Sequence, residues 1–230
     1  MARYQSAEEV REQHIATMGP ELGPVYHQLW YECAWLHTKW HQYVELFGSN
    51  PDRIKLLNGA AGTFFRIVQD TLWEDTLLHL ARLTDRRETG SKSNLTVKRL
   101  PGLVDDAHVR TEVEALVKQA AEKTAFATDW RNRRIAHRDL ALALKEGAEP
   151  LKPASRLLVK EALEAVAAIL QRIALHYEKA ELSFEEFGDA GDALSLLYVV
   201  QDGLVAEERR RKRLKDGKLD PEDLDGPRPI

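Results

Sequence analysis

PASRLLVKEALEAVAAILQRIALHYEKA, residues 153–180, decides the fold class. Its apolar residues return every three or four positions, the period of an α-helix that buries one face. Gly147, Pro150 and Pro153 separate it from what comes before. The same spacing runs through most of the 230 residues, and no sustained period-two alternation interrupts it. The chain therefore reads as all-α, a bundle of long helices that needs no strands.

Upstream, an amphipathic segment at about 6–18 is stopped by Gly19-Pro20 and Gly23-Pro24. PVYHQLWYECAWLHTKWHQYVELF (24–47) then runs as one helix with proline in its first turn, ended by Gly48. Asn50 and Pro51 open the next helix, which extends toward Asp85 with a break or close contact expected near Gly59 and Gly62. DRRETGSKSN (85–94) is a polar connection, Asn94 starts a short run closed by Pro101-Gly102, and a longer helix follows from about 105 to 126. Downstream, a last helix is expected over about 183–215 and a disordered tail over 216–230, which has three prolines and few large apolar groups. One domain over 1–215 with its core at about 25–180 is the expected organisation, and no repeat of solenoid length is present.

With 33 Lys+Arg against 37 Asp+Glu, the net charge of −4 gives no global attraction to nucleic acid or to an anionic membrane. Any anion site must be a local patch. The single cysteine, Cys33, excludes an internal disulfide and a cysteine-rich zinc site. No window approaches eighteen uncharged apolar residues, so neither a secretory signal nor a membrane span is expected, and a cytoplasmic location follows. Gly59-Ala-Ala-Gly62 and Gly188-Asp-Ala-Gly191 lack the phosphate-loop pattern, and no cofactor is expected.

The local patch is DWRNRRIAHRD (129–139), four arginines around one histidine. Read as a helix capped by Asp129, it places Arg131, Arg134 and Arg138 on one face and Arg133 beside His137. Arg131, Arg133 and Arg134 then stand near a helix N-terminus, where the macrodipole disfavours cations and a bound anion relieves the conflict. The alternative is a set of ion pairs with Asp129, Asp139 and neighbouring glutamates.

Arg131-Asn132 followed by His137 resembles the arginine, polar residue, spacer, histidine motif of the HEPN superfamily, helical bundles that include many metal-independent endoribonucleases. ARLTDRRETGSKSNLTVKRL (81–100), DWRNRRIAHRDLAL (129–142) and KPASRLLVKEAL (152–163) resemble, in content and order, the AbiU-like HEPN proteins tied to abortive infection. The resemblance implies His137 as general acid/base, Arg131 steadying the phosphate, and Asn132 positioning one or both. It also implies RNA as partner, a homodimer whose two motifs line one cleft, and, for a toxin, a cognate antitoxin. RNA carries its own nucleophile in the 2′-hydroxyl, so the chemistry needs alignment, proton transfer and charge stabilisation but no metal. On a regular helix, however, the Arg131 to His137 spacing leaves the two side chains roughly 120° apart, so either Arg131 precedes the helix or a second copy completes the site. The tyrosine that follows the histidine in one toxin branch is replaced by Arg138-Asp139.

Arg133, Arg134, Arg138, Arg82 and Arg86 are further candidates for RNA phosphate, with charge complementarity at a helix C-terminus the other reading for Arg82 and Arg86. EERRRKRLK (207–215) is a supplementary basic run or a solvated last turn. His37, His41 and Glu45 share a stripe, but the aromatic surroundings favour partly buried histidines over a metal site. Trp30, Tyr31, Trp35, Trp40 and Tyr43 are candidates for a dimer seam.

Overall fold

The computed structural model describes residues 6–184, 192–218 and 220–223. Its helices are α1 (Ala7–Tyr43), α2 (Pro51–Leu83), α3 (Ala107–Lys123), α4 (Ala125–Trp130), α5 (Leu140–Leu144), α6 (Arg156–Tyr177) and α7 (Ala193–Lys215). One departure from pure helix is a minimal antiparallel hairpin, β1 (Glu88–Thr89) with β2 (Lys92–Ser93), inside the polar 85–94 connection.

Local chemistry explains most boundaries. α1 kinks once, at Gly19 (φ 84°, ψ 171°), and not also at Gly23-Pro24 as the sequence predicted, because Pro20 already sits in the first turn of the second leg. α2 begins as expected, the Asp52 amide donating to Asn50 Oδ1 at 2.9 Å, and it bends at Ala61, between the two glycines. The turn at Val97–Leu103 is capped by Thr96 and not by Asn94, since the Thr96 hydroxyl also donates to the carbonyls of Leu83 and Asp85, both at 2.9 Å. Asp106 caps α3 by accepting from the amides of His108 and Val109. α7 starts at Ala193, capped by Asp192; residues 185–191 of the longer helix expected there lie outside the described residues.

The contacts divide the chain into two compact units. The first comprises residues 1–40 and 72–187. Leu22, Tyr26, Leu29, Cys33 and Leu36 repeat at four and three along α1, and Val159, Leu163, Val166, Leu170 and Ile173 do the same along α6. Both rows are buried with Leu77, Leu80 and Ala81 of α2 and Val109, Val113 and Ala120 of α3. α3 lies along α6. The Tyr26 hydroxyl donates to the Leu170 carbonyl at 3.3 Å, and burial pushes the Cys33 thiol up to about 12, so it is a core residue and not a nucleophile.

The second unit comprises residues 41–71 and 188–230, with a small core of Leu46, Leu57, Phe65, Ala193 and Leu197. Of the 216–230 segment, 216–218 and 220–223 are described, and the rest of the expected tail lies outside the described residues. Asp223 is buried and accepts from Arg213 Nε at 2.7 Å, and the Arg210 side chain donates to its carbonyl. The Arg213 hydrogen bond holds the Asp223 carboxyl down to about 2. Two cations of the 207–215 run are thus engaged internally, and a third, Arg211, pairs with Glu207 at 2.7 Å.

Candidate functional site

The 129–139 stretch is not one helix, and Asp129 is not its cap. Asp129 lies within α4, near its C-terminal end, and its carboxylate accepts from the Lys152 amide at 2.9 Å. Arg131–Ile135 then form a single π turn, closed by the Ala136 amide on the Arg131 carbonyl at 2.9 Å. A bend follows, and α5 starts afresh with Asp139 accepting from the Leu142 amide at 2.8 Å. The arginines therefore stand past a helix C-terminus, where the macrodipole favours cations, and the expected helix N-terminal anion site is absent from this stretch. A π turn also replaces the spacing of a regular helix, so the 120° separation inferred for Arg131 and His137 does not apply; single π turns concentrate at functional sites.

Each arginine of the turn is aimed by its own partners. Arg131 Nη1 contacts Asp85 Oδ2 at 2.6 Å and its Nε donates to Asn132 Oδ1 at 3.1 Å. Burial alone would raise the Asp85 carboxyl, but hydrogen bonds from Arg131 and the Arg86 amide outweigh it and hold the group below the usual carboxylate range. Arg133 turns to the carbonyls of Glu149 and Pro150 and to Asp129. Arg134 lies over the Trp130 ring at 5.3 Å and 3.4 Å from Glu74. His137 and Arg138 are exposed and make no hydrogen bond or ion pair with the described residues.

Asp85 also lines a cleft of about 200 Å³ with Glu32, His79, Arg82, Leu83, Asn94 and Leu95. Arg82 Nη2 donates to Glu32 Oε2 at 3.1 Å across it, and Arg86 is exposed beside it in sequence. The segment after Asp85 is latched: Arg87 Nε donates to the Lys98 carbonyl at 2.7 Å, and Arg99 to the carbonyls of Asn94 and Arg87. Asp85 thus links the cleft wall, which includes Arg82, to Arg131 and through it to Asn132, while Arg133 and Arg134 are committed elsewhere.

The cleft residues Glu32, His79 and Asn94 escaped the sequence reading. Their only trace was a histidine set among leucines in TLLHLARL (76–83), a polar group on an apolar face. Of the five aromatics proposed as a seam, Tyr31 and Trp35 are exposed, Trp30 and Trp40 are half-buried and Tyr43 is buried. His37 stacks on Phe184 and Glu45 pairs with Arg53 at 2.5 Å; among the described residues no three metal-ligand side chains converge. No described helix is long and apolar enough to cross a membrane.

No curated protein and no solved structure matches the chain. A family description does: HEPN AbiU2 matches over residues 19–196, a span that takes in the latched 85–99 segment, the π turn and α6. The all-α bundle agrees with that match, and the chain belongs to the HEPN AbiU2 family.

Proposed function

We propose that this protein is a metal-independent endoribonuclease of HEPN type, a cytoplasmic toxin or phage-defence effector that cuts RNA through the 2′-hydroxyl. The observation that carries the reading is an exposed His137 with no hydrogen-bond partner among the described residues, two residues past a π turn whose first residue, Arg131, pairs with Asp85 of the cleft wall. His137 takes the 2′-hydroxyl proton as that oxygen bonds to phosphorus; the P–O5′ bond breaks and the 5′-oxygen receives a proton, leaving a 2′,3′-cyclic phosphate. Arg131, held by Asp85 and Asn132, steadies the phosphorane charge, and exposed Arg86 and Arg138 hold flanking phosphates. A homodimer brings two such motifs to one cleft, with exposed Tyr31 and Trp35 offered at the seam. As a toxin, the protein would take a cognate antitoxin as a second partner.

A catalytically silent module that binds RNA, a nucleotide or a protein partner is the second reading. It is favoured by one observation: the Arg131 guanidinium already spends donors on Asp85 and Asn132. Purified protein incubated with RNA in EDTA separates the two. Cleavage with cyclic-phosphate ends, abolished by His137→Ala with an intact helical spectrum, supports the nuclease; salt-sensitive RNA binding with no cleavage by the wild-type chain supports the silent module.

A further inference from the structure

The cleft beside the Arg131–Asp85 pair holds a group that phosphodiester chemistry does not use. His79 is 3% exposed and forms part of the wall. Lys39 Nζ lies 3.1 Å from His79 Nδ1 and is itself anchored on Asp75. An ammonium can only donate, so Nδ1 accepts, and the neutral ring carries its proton on Nε2. Burial, joined by the Lys39 charge, holds the imidazole down to about 4, against the opposing pull of Glu32, so the ring is neutral near pH 7.

Nε2 lies 2.8 Å from Glu32 Oε2, yet its N–H is not aligned on that oxygen, and the atom stays buried without a hydrogen-bond partner among the described residues. Buried donors left in this state are rare and call for an explanation. Glu32 Oε2 also receives Arg82, whereas Oε1 has no partner among the described residues. Leu83 and Leu95 supply apolar walls. Two carboxylates, Glu32 and Asp85, disfavour a phosphate inside the cleft, while about 200 Å³ is below the range of pockets for drug-sized ligands and suits one flat ring system. The opening therefore asks for a neutral, planar group with a donor and an acceptor side by side.

We propose that this cleft receives one unpaired nucleobase that presents an amino group next to a bare ring nitrogen, as the N6/N1 edge of adenine and the N4/N3 edge of cytosine do. Glu32 accepts from the amine and His79 Nε2–H donates to the ring nitrogen. Uracil presents a carbonyl beside an N–H and reverses both contacts; the corresponding edge of guanine sets its amine beside an N–H. The inference rests on the ribonuclease reading for the nature of the polymer, and makes Glu32 and His79 residues that set base specificity next to the scissile phosphate.

The test uses the full chain and oligouridines carrying a single central A, C, G or U, all with 2′-fluoro sugars so that no nucleophile is present and binding is read apart from cleavage. Fluorescence anisotropy is expected to show the A and C oligonucleotides bound at least about fivefold more tightly than U and G, the lower end for discrimination by paired hydrogen bonds. Glu32→Ala is expected to erase that ratio. Leu95→Trp, at a 40% exposed position where the fold tolerates change, fills the cleft and is expected to erase it too. Equal affinity for all four bases in the wild-type chain, or a preference that survives both variants, overturns the proposal. Cleavage of ordinary RNA in EDTA is followed in parallel. Base preference without cleavage sinks the nuclease and leaves the base site standing; cleavage without base preference sinks the base site alone; no binding of any oligonucleotide overturns both.

Discussion

Arg131 and Asp85, forty-six positions apart in the chain, meet at 2.6 Å and tie the π turn to the end of α2. Both side chains are about a quarter exposed, so the pair is neither a solvated surface contact nor a fully desolvated one. Asp85→Asn should destabilise the protein by about 1–2 kcal/mol in urea denaturation, between the values for exposed and buried pairs. Misplacing Arg131 should lower kcat/KM for RNA cleavage on the order of 100-fold, and Asp85→Glu should restore part of it. Full activity in Asp85→Asn would remove Asp85 from any positioning role.

His137 gives the opposite dissociation. Its side chain is exposed and bonds to none of the described residues, so His137→Ala should change stability by less than about 0.5 kcal/mol. Loss of a general acid/base should cost on the order of 10²- to 10⁴-fold in cleavage rate. Thermal melting and a cleavage time course on the same preparation check both halves; a large fall in Tm would show that His137 supports the fold.

At Gly23 the second leg of α1 packs directly on the backbone of the first. A Cβ added there would lie 2.6 Å from Ile15 Cα and 2.8 Å from the His14 carbonyl oxygen, both backbone atoms that cannot swing aside. Gly23→Ala should cost about 1–3 kcal/mol by overpacking, lowering Tm by roughly 2–10 °C. An unchanged Tm would contradict this packing of the legs.

Acid should weaken the first unit well above the ordinary carboxylate range. His14 and His27 are buried with Nδ1 atoms 3.1 Å apart, an arrangement in which one ring donates and the other accepts, and which two imidazolium rings cannot keep. Burial and His27 push His14 down from 6.5 to about 4, and burial with Lys39 does the same to His79. For a base with a depressed folded value, the unfolded chain takes up protons first as pH falls. The stability contribution is present above pH 6.5 and is lost between 6.5 and about 4. Glu178, 3.6 Å from His14 and raised by burial, acts with the opposite sign and only partly offsets the loss. Tm should therefore fall steadily from pH 7 to pH 4.5, and His14→Gln with His79→Gln should flatten the slope. A wild-type Tm independent of pH over that interval would refute the assignment.

The sequence by itself determined the helical class, the cap at Asn50, the break at Gly19 and the buried rows of α1 and α6, because these depend on residues within one turn of each other. It also singled out Arg131, Asn132 and His137, since the motif is contiguous. Only the tertiary structure decided what 129–139 is. Asp129 looked like a cap by type and position, yet α4 runs through it, because the Lys152 amide and the Trp130 indole donating to the Lys152 carbonyl stitch this segment to the loop before α6. The cleft was invisible for the same reason. Glu32, His79, Asp85 and Asn94 come from α1, α2 and the connection after α2, and the bonds of Glu32 to Arg82, His79 to Lys39 and Asp85 to Arg131 exist only once those elements are packed, a long-range arrangement that no local spacing encodes.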